Sequence, residues 1–216
     1  MVDSDLTRVW LRTVALLIDA EKDRLTQLDL AIGDGDHGLN MHRGFSAVAA
    51  GLNAPEQASA GAGQILISAG TTLVSVVGGA SGPLFGSSFR ALGRALDTGA
   101  PDTTAPDTGT FASALAAARD SIQRLGAAER GDATLYDVYA AAADAFGRTA
   151  AEGAGFTASA RAAADAAEDG MRATIPMRAR KGRASYLGLR SVGHQDPGAT
   201  SAALVFRALA TAAEER

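Results

Sequence analysis

The residues best suited to chemistry lie in one short segment, Asp29 to Asn40, in which aspartates alternate with glycines. Asp29, Asp34 and Asp36 place three carboxylates within eight positions, and carboxylates this close repel one another unless a cation neutralises them. The chain has no cysteine, and oxygen ligands favour Mg²⁺ or Ca²⁺ over Zn²⁺. We therefore predict that these three aspartates bind a hard divalent cation.

An EF-hand does not fit this segment, because an EF-hand loop starting at Asp34 needs a bidentate glutamate where the chain has Phe45. A polar Gly–Asp turn that only caps the following helix stays as the alternative to a metal site. Mg²⁺ commonly takes a few carboxylates and completes its coordination with substrate phosphates. Elements that bind phosphate are therefore expected nearby.

Three further junctions are rich in glycine and polar residues, namely residues 78–83, 126–137 and 178–200. In the first, the backbone N–H groups of a helix start, with the Ser81 hydroxyl, could hold a phosphate. In the last, Arg183 could bind a phosphate through two hydrogen bonds. An ordinary turn and a solvated basic loop are the respective alternatives. Carboxylates, helix starts and a guanidinium, without an evident nucleophile, favour phosphoryl transfer.

These junctions must be positioned by helices. Of the 216 residues 49 are alanine and only 5% are aromatic, a composition typical of helical proteins. Apolar residues recur at helical spacing in most segments, and we find no convincing strand, although residues 73–77 could form a short one. Eight helical segments are predicted: residues 4–26, 39–51, 55–77, 84–96, 110–125, 133–151, 157–174 and 197–213. Helix caps are expected at Asp3 or Ser4, near Asp132 and Asp137, and at Asp196.

The composition also excludes several classes of protein. A net charge of −4 argues against nucleic-acid binding as the main function, and the lack of cysteine excludes disulfides and thiolate metal sites. No apolar run reaches the length of a membrane span, and the acidic N-terminus lacks the basic region of a signal peptide. We expect a single domain over residues 1–216, located in the cytoplasm, with a flexible loop at residues 97–108.

Several motifs together resemble the DhaL family, the nucleotide-binding subunits of phosphotransferase-dependent dihydroxyacetone kinases. The resemblance covers the chain from Trp10 to the last helix. It rests on the segments Gly33–Gly38, Asn40, Arg43–Phe45, Gly79–Leu84, Gly182–Gly188 and Asp196–Thr200. It implies an all-α fold, an antiparallel barrel of eight helices with the nucleotide at one end.

The resemblance also implies a set of site residues, without a certain catalytic one. Asp29, Asp34 and Asp36 would bind two Mg²⁺ ions that bridge the phosphates of the nucleotide. The residues implied to surround ADP are His37, Gly38, Leu39, Asn40, Ala80, Ser81, Gly126, Leu135, Arg183, Asp196, Pro197 and Gly198.

In the function that the resemblance implies, ADP stays bound as a coenzyme. It accepts a phosphoryl group from a DhaM-like phosphohistidine carrier, and the ATP so formed phosphorylates dihydroxyacetone held on a DhaK-like subunit. Two alternatives stay open: a subunit of a related ATP-dependent ketose or sugar-acid kinase, and a non-enzymatic regulatory module that binds nucleotide. Monomer and homodimer are equally compatible with the sequence.

The chain departs from the family pattern at four positions. Ala133 replaces a usual lysine, Leu135 a methionine, Leu189 a common glutamate and His42 a common asparagine. Leucine keeps the apolar volume of methionine, so packing on an adenine is expected to survive. The missing lysine bears on partner choice and on nucleotide exchange.

Overall fold

A computed structural model describes residues 2–97 and 106–215, and the described residues form α-helices and two 3₁₀ segments without a strand. The all-α prediction is thus confirmed. The α-helices are α1 (Ser4–Ile32), α2 (His37–Gly51), α3 (Ala62–Val76), α4 (Ser81–Leu96), α5 (Thr108–Gly126), α6 (Leu135–Ala151), α7 (Phe156–Ala173) and α8 (Pro197–Glu214). The 3₁₀ segments are Pro55–Gln57 and Arg183–Ser191. Most of the loop predicted at residues 97–108 lies outside the described residues.

Two helix boundaries differ from the prediction by more than three residues. The first helix continues past Thr26 to Ile32, which places Asp29 in its last turn. The third predicted helix, 55–77, is divided: a 3₁₀ turn at Pro55–Gln57 is followed by extended backbone at Gly61 before α3 begins. Gly61 favours this break, because glycine inside a helix costs about 1 kcal/mol relative to alanine. The alternative strand at 73–77 is wrong, because α3 stays helical through Val76.

The helices form a closed ring in chain order. Each α-helix packs against the next one, and α8 packs against both α7 and α1. Short connections such as residues 33–36 and 77–80 force consecutive helices to run antiparallel. The eight-helix antiparallel barrel expected from the family resemblance is therefore present. As a result, the even-numbered helices all begin at the same end of the barrel.

Aromatic side chains fill the interior of the ring. Trp10 packs on Phe89 with ring centroids 5.6 Å apart, and its indole N–H donates to the Val205 carbonyl at 2.9 Å. Phe111 lies 5.1 Å from Phe146 by the same measure. Along α8 nearly every side chain is buried, and alanines there allow neighbouring helices to approach closely. In the part of the chain that the structure describes, no helix combines the length and apolarity needed to cross a membrane.

Helices α3 and α4 are in backbone contact. A Cβ at Gly63 would lie 2.7 Å from the Gly93 carbonyl oxygen, and one at Gly70 would lie 2.5 Å from the Gly86 carbonyl oxygen. Such distances are shorter than van der Waals contact, and the atoms concerned belong to backbone that cannot rotate away. Glycine is therefore required at these positions for the two helices to pack this closely.

Candidate functional site

A cavity of about 240 Å³ lies at the end of the barrel where α2, α4, α6 and α8 begin. Its lining includes the first residues of these helices, among them His37, Ser81, Leu135 and Pro197. Each helix start carries a partial positive charge and N–H groups without intrahelical partners. A cavity onto which four helix starts converge is therefore suited to an anionic ligand such as a phosphate.

The three predicted aspartates meet at the edge of this cavity. One carboxylate oxygen each from Asp29, Asp34 and Asp36 lies within 4.8 Å of the others. The backbone brings them together because α1 ends at Ile32 and Gly35 turns with φ +78°, so α2 can start at His37. A set of three carboxylate oxygens without sulfur fits Mg²⁺. The identity and number of ions stay a prediction.

The three carboxylates differ in their surroundings. Asp29 is buried, and its Oδ2 accepts a hydrogen bond from the His37 backbone N–H at 3.1 Å. Asp34 and Asp36 are exposed, and the Asp34 carboxylate forms an ion pair with Arg183 at 2.9 Å. The cluster thus has one fixed ligand and two that solvent can reach. Arg183 lines the cavity, and its charge is paired with Asp34.

His37 connects three helices beneath the cavity. Its Nε2 lies 2.8 Å from Ser201 Oγ on α8, and its Nδ1 lies 3.2 Å from Ser81 Oγ at the start of α4. Burial lowers the pKa of His37, so the imidazole is neutral near pH 7. A neutral imidazole has one donor and one acceptor nitrogen, which suits two hydroxyl partners. His37 therefore holds the Ser81 hydroxyl in place at the cavity wall.

The other two helix starts are closed by their own side chains. At α6, Thr134 and Asp137 form a capping box, and Asp137 also accepts from the Gly131 N–H at 2.6 Å. At α8, Asp196 accepts from the Ala199 N–H at 2.6 Å. The predicted capping roles of Asp137 and Asp196 are confirmed. Burial, together with the nearby Asp137 and Asp29 carboxylates, raises the pKa of Asp196 to about 7.

Ten of the twelve residues implied to surround ADP line the cavity, and Gly38 and Leu39 do not. A Cβ at Gly38 would overlap the Lys22 carbonyl oxygen, so this glycine is needed where α2 approaches α1. Leu39 is 58% exposed on the outer face of α2. The ten lining residues stay candidates for nucleotide contact. They are His37, Asn40, Ala80, Ser81, Gly126, Leu135, Arg183, Asp196, Pro197 and Gly198.

Sequence reasoning missed part of the lining. Leu84 and Ile122 form an apolar wall with Leu135, where a flat heterocycle could pack. In the sequence both look like ordinary core positions of amphipathic helices, so no signal singles them out. Gly78, Gly79, Lys181 and Gly182 also line the cavity, and these did lie in the junctions that the sequence analysis marked.

An all-α barrel with a carboxylate cluster and a cavity at its helix starts defines a recognisable class of domain. Residues 31–211 match the DAK2 domain, so the chain belongs to the DAK2 domain family.

Individual relatives in this family have more specific functions than the family name conveys. The chain is 43% identical over 209 residues to the Escherichia coli PEP-dependent dihydroxyacetone kinase, ADP-binding subunit DhaL, with 95% of each chain covered. It is 39% identical over 194 residues to D-erythrulose kinase of Mycolicibacterium smegmatis, covering 90% of this chain and 33% of that protein. The crystal structure of the C. freundii dihydroxyacetone kinase in complex with AMP-PNP and Mg²⁺ matches with a TM-score of 0.67 and 26% identity. It covers 96% of this chain and 33% of that one.

Proposed function

We propose that this chain is the ADP-binding subunit of a PEP-dependent dihydroxyacetone kinase, acting in the cytoplasm. The observation that carries the proposal is the cluster of Asp29, Asp34 and Asp36 at a cavity formed by four helix starts. The similarity to DhaL, which extends over 95% of both chains, supports it. The chain spans about a third of the length of the dihydroxyacetone and erythrulose kinases matched here.

The cavity residues divide into three tasks. We assign the three aspartates to two Mg²⁺ ions, because three close carboxylates without a bound cation would repel one another. We assign the phosphates to the starts of α2 and α4, with Ser81 and Arg183 as further donors. We assign the adenine to the apolar wall formed by Leu84, Ile122 and Leu135.

This set of residues can perform phosphoryl transfer by positioning and charge neutralisation, without a protein nucleophile. Bound Mg²⁺ would neutralise the developing charge on the phosphate oxygens. The chain would hold ADP while a DhaM-like phosphohistidine carrier donates the phosphoryl group. It would then hold ATP while that group passes to dihydroxyacetone on a DhaK-like subunit. Buried His37 is engaged with two serines, so we expect no phosphohistidine at this residue.

Isothermal titration with ADP tests the proposal, after the purified chain has been treated with EDTA and freed of any nucleotide that purified with it. We expect saturable binding with Mg²⁺, and a large loss of affinity when EDTA is added or Asp34 is replaced in Asp34→Asn. Asp165→Asn, which changes an exposed carboxylate on α7 away from the cavity, is the matched control and should bind like wild type. Absence of saturable ADP binding, or equal binding by Asp34→Asn and wild type, would contradict the proposal.

A second candidate is a subunit of a ketose kinase that uses free ATP, favoured by the similarity to D-erythrulose kinase. The two candidates differ in how the nucleotide is kept. A subunit that uses ADP as a coenzyme should purify with ADP bound and exchange it slowly. A subunit that uses free ATP should exchange it rapidly and support turnover without a phosphohistidine carrier.

A further inference from the structure

Arg43 lies one helical turn beyond Asn40 on α2, outside the lining of the cavity as far as the structure describes it. Its Nη2 donates to Asn40 Oδ1 at 2.7 Å, and its Nε donates to the Val76 carbonyl oxygen at 3.3 Å. Val76 is the last residue of α3, where carbonyl groups lack intrahelical partners. One exposed arginine thus connects the first turn of α2 to the end of α3.

This contact determines which end of the Asn40 amide faces the cavity. A guanidinium has donors only, so the amide must present its oxygen to Arg43. Asn40 is only 9% exposed and lines the cavity, and it lies against Gly78, where a Cβ would be 3.3 Å from Nδ2. With Oδ1 held by Arg43, Nδ2 is the polar atom of this side chain that is left to donate to a ligand.

We infer that Arg43 is a positioning residue, which holds the Asn40 amide so that Nδ2 donates to a phosphate oxygen of the nucleotide. The inference rests on the proposed function, which places a nucleotide in the cavity. Without Arg43, the Asn40 amide could rotate by half a turn and direct Oδ1 at the phosphate. Oδ1 and the phosphate oxygen are both acceptors, so no hydrogen bond would form between them. The Arg43 guanidinium excludes that orientation before the ligand binds. This lowers the entropic cost of ordering the Asn40 side chain on binding.

A double-mutant cycle measured as ADP affinity in the presence of Mg²⁺ tests this inference. We expect Arg43→Ala and Asn40→Ala each to weaken binding by about tenfold, the usual effect of losing a hydrogen bond to a charged group. The double variant should bind no more weakly than Asn40→Ala, because Arg43 acts through Asn40. If Arg43 attracted ADP by its charge alone, the two losses would multiply instead.

Two further variants separate positioning from folding. Asn40→Asp keeps a strong partner for Arg43 but has no donor, so ADP affinity should fall at least as far as in Asn40→Ala while the melting temperature is maintained. Arg12 provides the matched control, since it too donates to an asparagine Oδ1, that of Asn53 at 3.1 Å, away from the cavity. Arg12→Ala should leave ADP affinity unchanged.

The outcomes distinguish the inference from the function on which it rests. Multiplying losses, wild-type affinity in Arg43→Ala, or wild-type affinity in Asn40→Asp would overturn the inference, while ADP binding by wild type would keep the proposed function. Failure of the wild-type chain to bind ADP would overturn both.

Discussion

Four described helices begin at the cavity, and they fall into two pairs that differ in how their first N–H groups are satisfied. Helices α6 and α8 are capped by Thr134 and Asp196. At α4 the N-cap residue is Ala80, which has no acceptor in its side chain. At α2 the N-cap residue is Asp36, a good capping type. Yet in the described structure its carboxylate accepts no bond from that helix.

The difference shows how one barrel end serves two purposes. The Asp36 carboxylate gives up its capping bond and joins Asp29 and Asp34 instead. Uncapped N–H groups cost stability, and that cost is offset when an anion or a cation–phosphate complex binds there. The starts of α6 and α8 therefore stabilise the fold. At α2 Asp29 accepts only the His37 N–H, and the remaining first N–H groups of α2 and α4 are left for the ligand. The predictions below test this division.

The largest effect is expected for Asp36→Asn. Asparagine caps helices as well as aspartate does, so the free energy of unfolding should hardly change. Loss of one carboxylate from the cluster should lower phosphoryl transfer from a phosphohistidine carrier by roughly two to three orders of magnitude. Steady-state kinetics with added carrier and substrate subunit, alongside urea unfolding, measures both. Unchanged kinetics in Asp36→Asn would show that this carboxylate is not needed in the cluster.

The next effect concerns pH and the cap of α8. The pKa of Asp196 is raised to about 7 in the folded state. Between about pH 4 and pH 7 the Asp196 carboxyl is therefore protonated in the folded chain and ionised in the unfolded chain. Its contribution to stability is therefore greatest below pH 4 and declines as pH rises through 7. Relative to Asp196→Asn, wild type should lose at most a few kcal/mol across this range, since one pKa unit corresponds to about 1.4 kcal/mol.

Urea unfolding of both chains in EDTA at several pH values checks this expectation. A difference between wild type and Asp196→Asn that stays constant from pH 4 to 8 would show that the carboxyl titrates normally.

A smaller loss is expected for Asp137→Ala at the start of α6. The change leaves the N–H groups of Gly131 and Thr134 without their partner, at present 2.6 and 2.8 Å away, and should lower the free energy of unfolding by about 2 kcal/mol. Asp137→Asn, which keeps one acceptor oxygen, should lose about half as much. Because Asp137 lies outside the described cavity lining, ADP affinity should change far less than stability. The reverse order of effects would place α6 with the ligand-binding helix starts.

The smallest expected effect is a gain in the free energy of unfolding from a substitution at the end of α5. Ala127 follows α5 with φ +45° and is exposed, so Ala127→Gly should raise the free energy of unfolding by about 1 kcal/mol. Ala133 also has positive φ, at +58°, but it is buried against Ile32 and Ala179. Ala133→Gly loses that methyl contact and should be close to neutral. Thermal unfolding of the pair measures the difference, and equal gains would show that burial of Ala133 contributes nothing.

Much of the candidate site could be predicted from the sequence, because the residues of the carboxylate cluster are close together in the chain. Asp29, Asp34 and Asp36 occupy one loop, and their types alone predict a cluster. Gly38 was assigned to the nucleotide by resemblance, although here it serves helix packing. A match to a motif does not distinguish a ligand contact from a close approach of backbones.

What the sequence could not provide depends on distant contacts. Ser201 lies 164 positions from His37, and nothing in either segment predicts that the imidazole bridges α8 and α4. The division of the third predicted helix was missed because Pro55 and Glu56 look like a helix start, while the competing glycine at position 61 gives no periodic signal. The positions of Leu84 and Ile122 at the cavity wall follow only from closure of the ring.

The backbone contact between α3 and α4 also affects which mutations would impair nucleotide binding. Gly93 lies twelve residues from Ser81, about 18 Å along α4 at the rise of an α-helix. A Cβ at Gly93 would lie 2.5 Å from the Gly63 carbonyl oxygen. We expect Gly93→Ala to shift the whole of α4, and therefore also the Ser81 hydroxyl at the cavity. A genetic screen for poor nucleotide binding would therefore recover glycine substitutions far from any ligand.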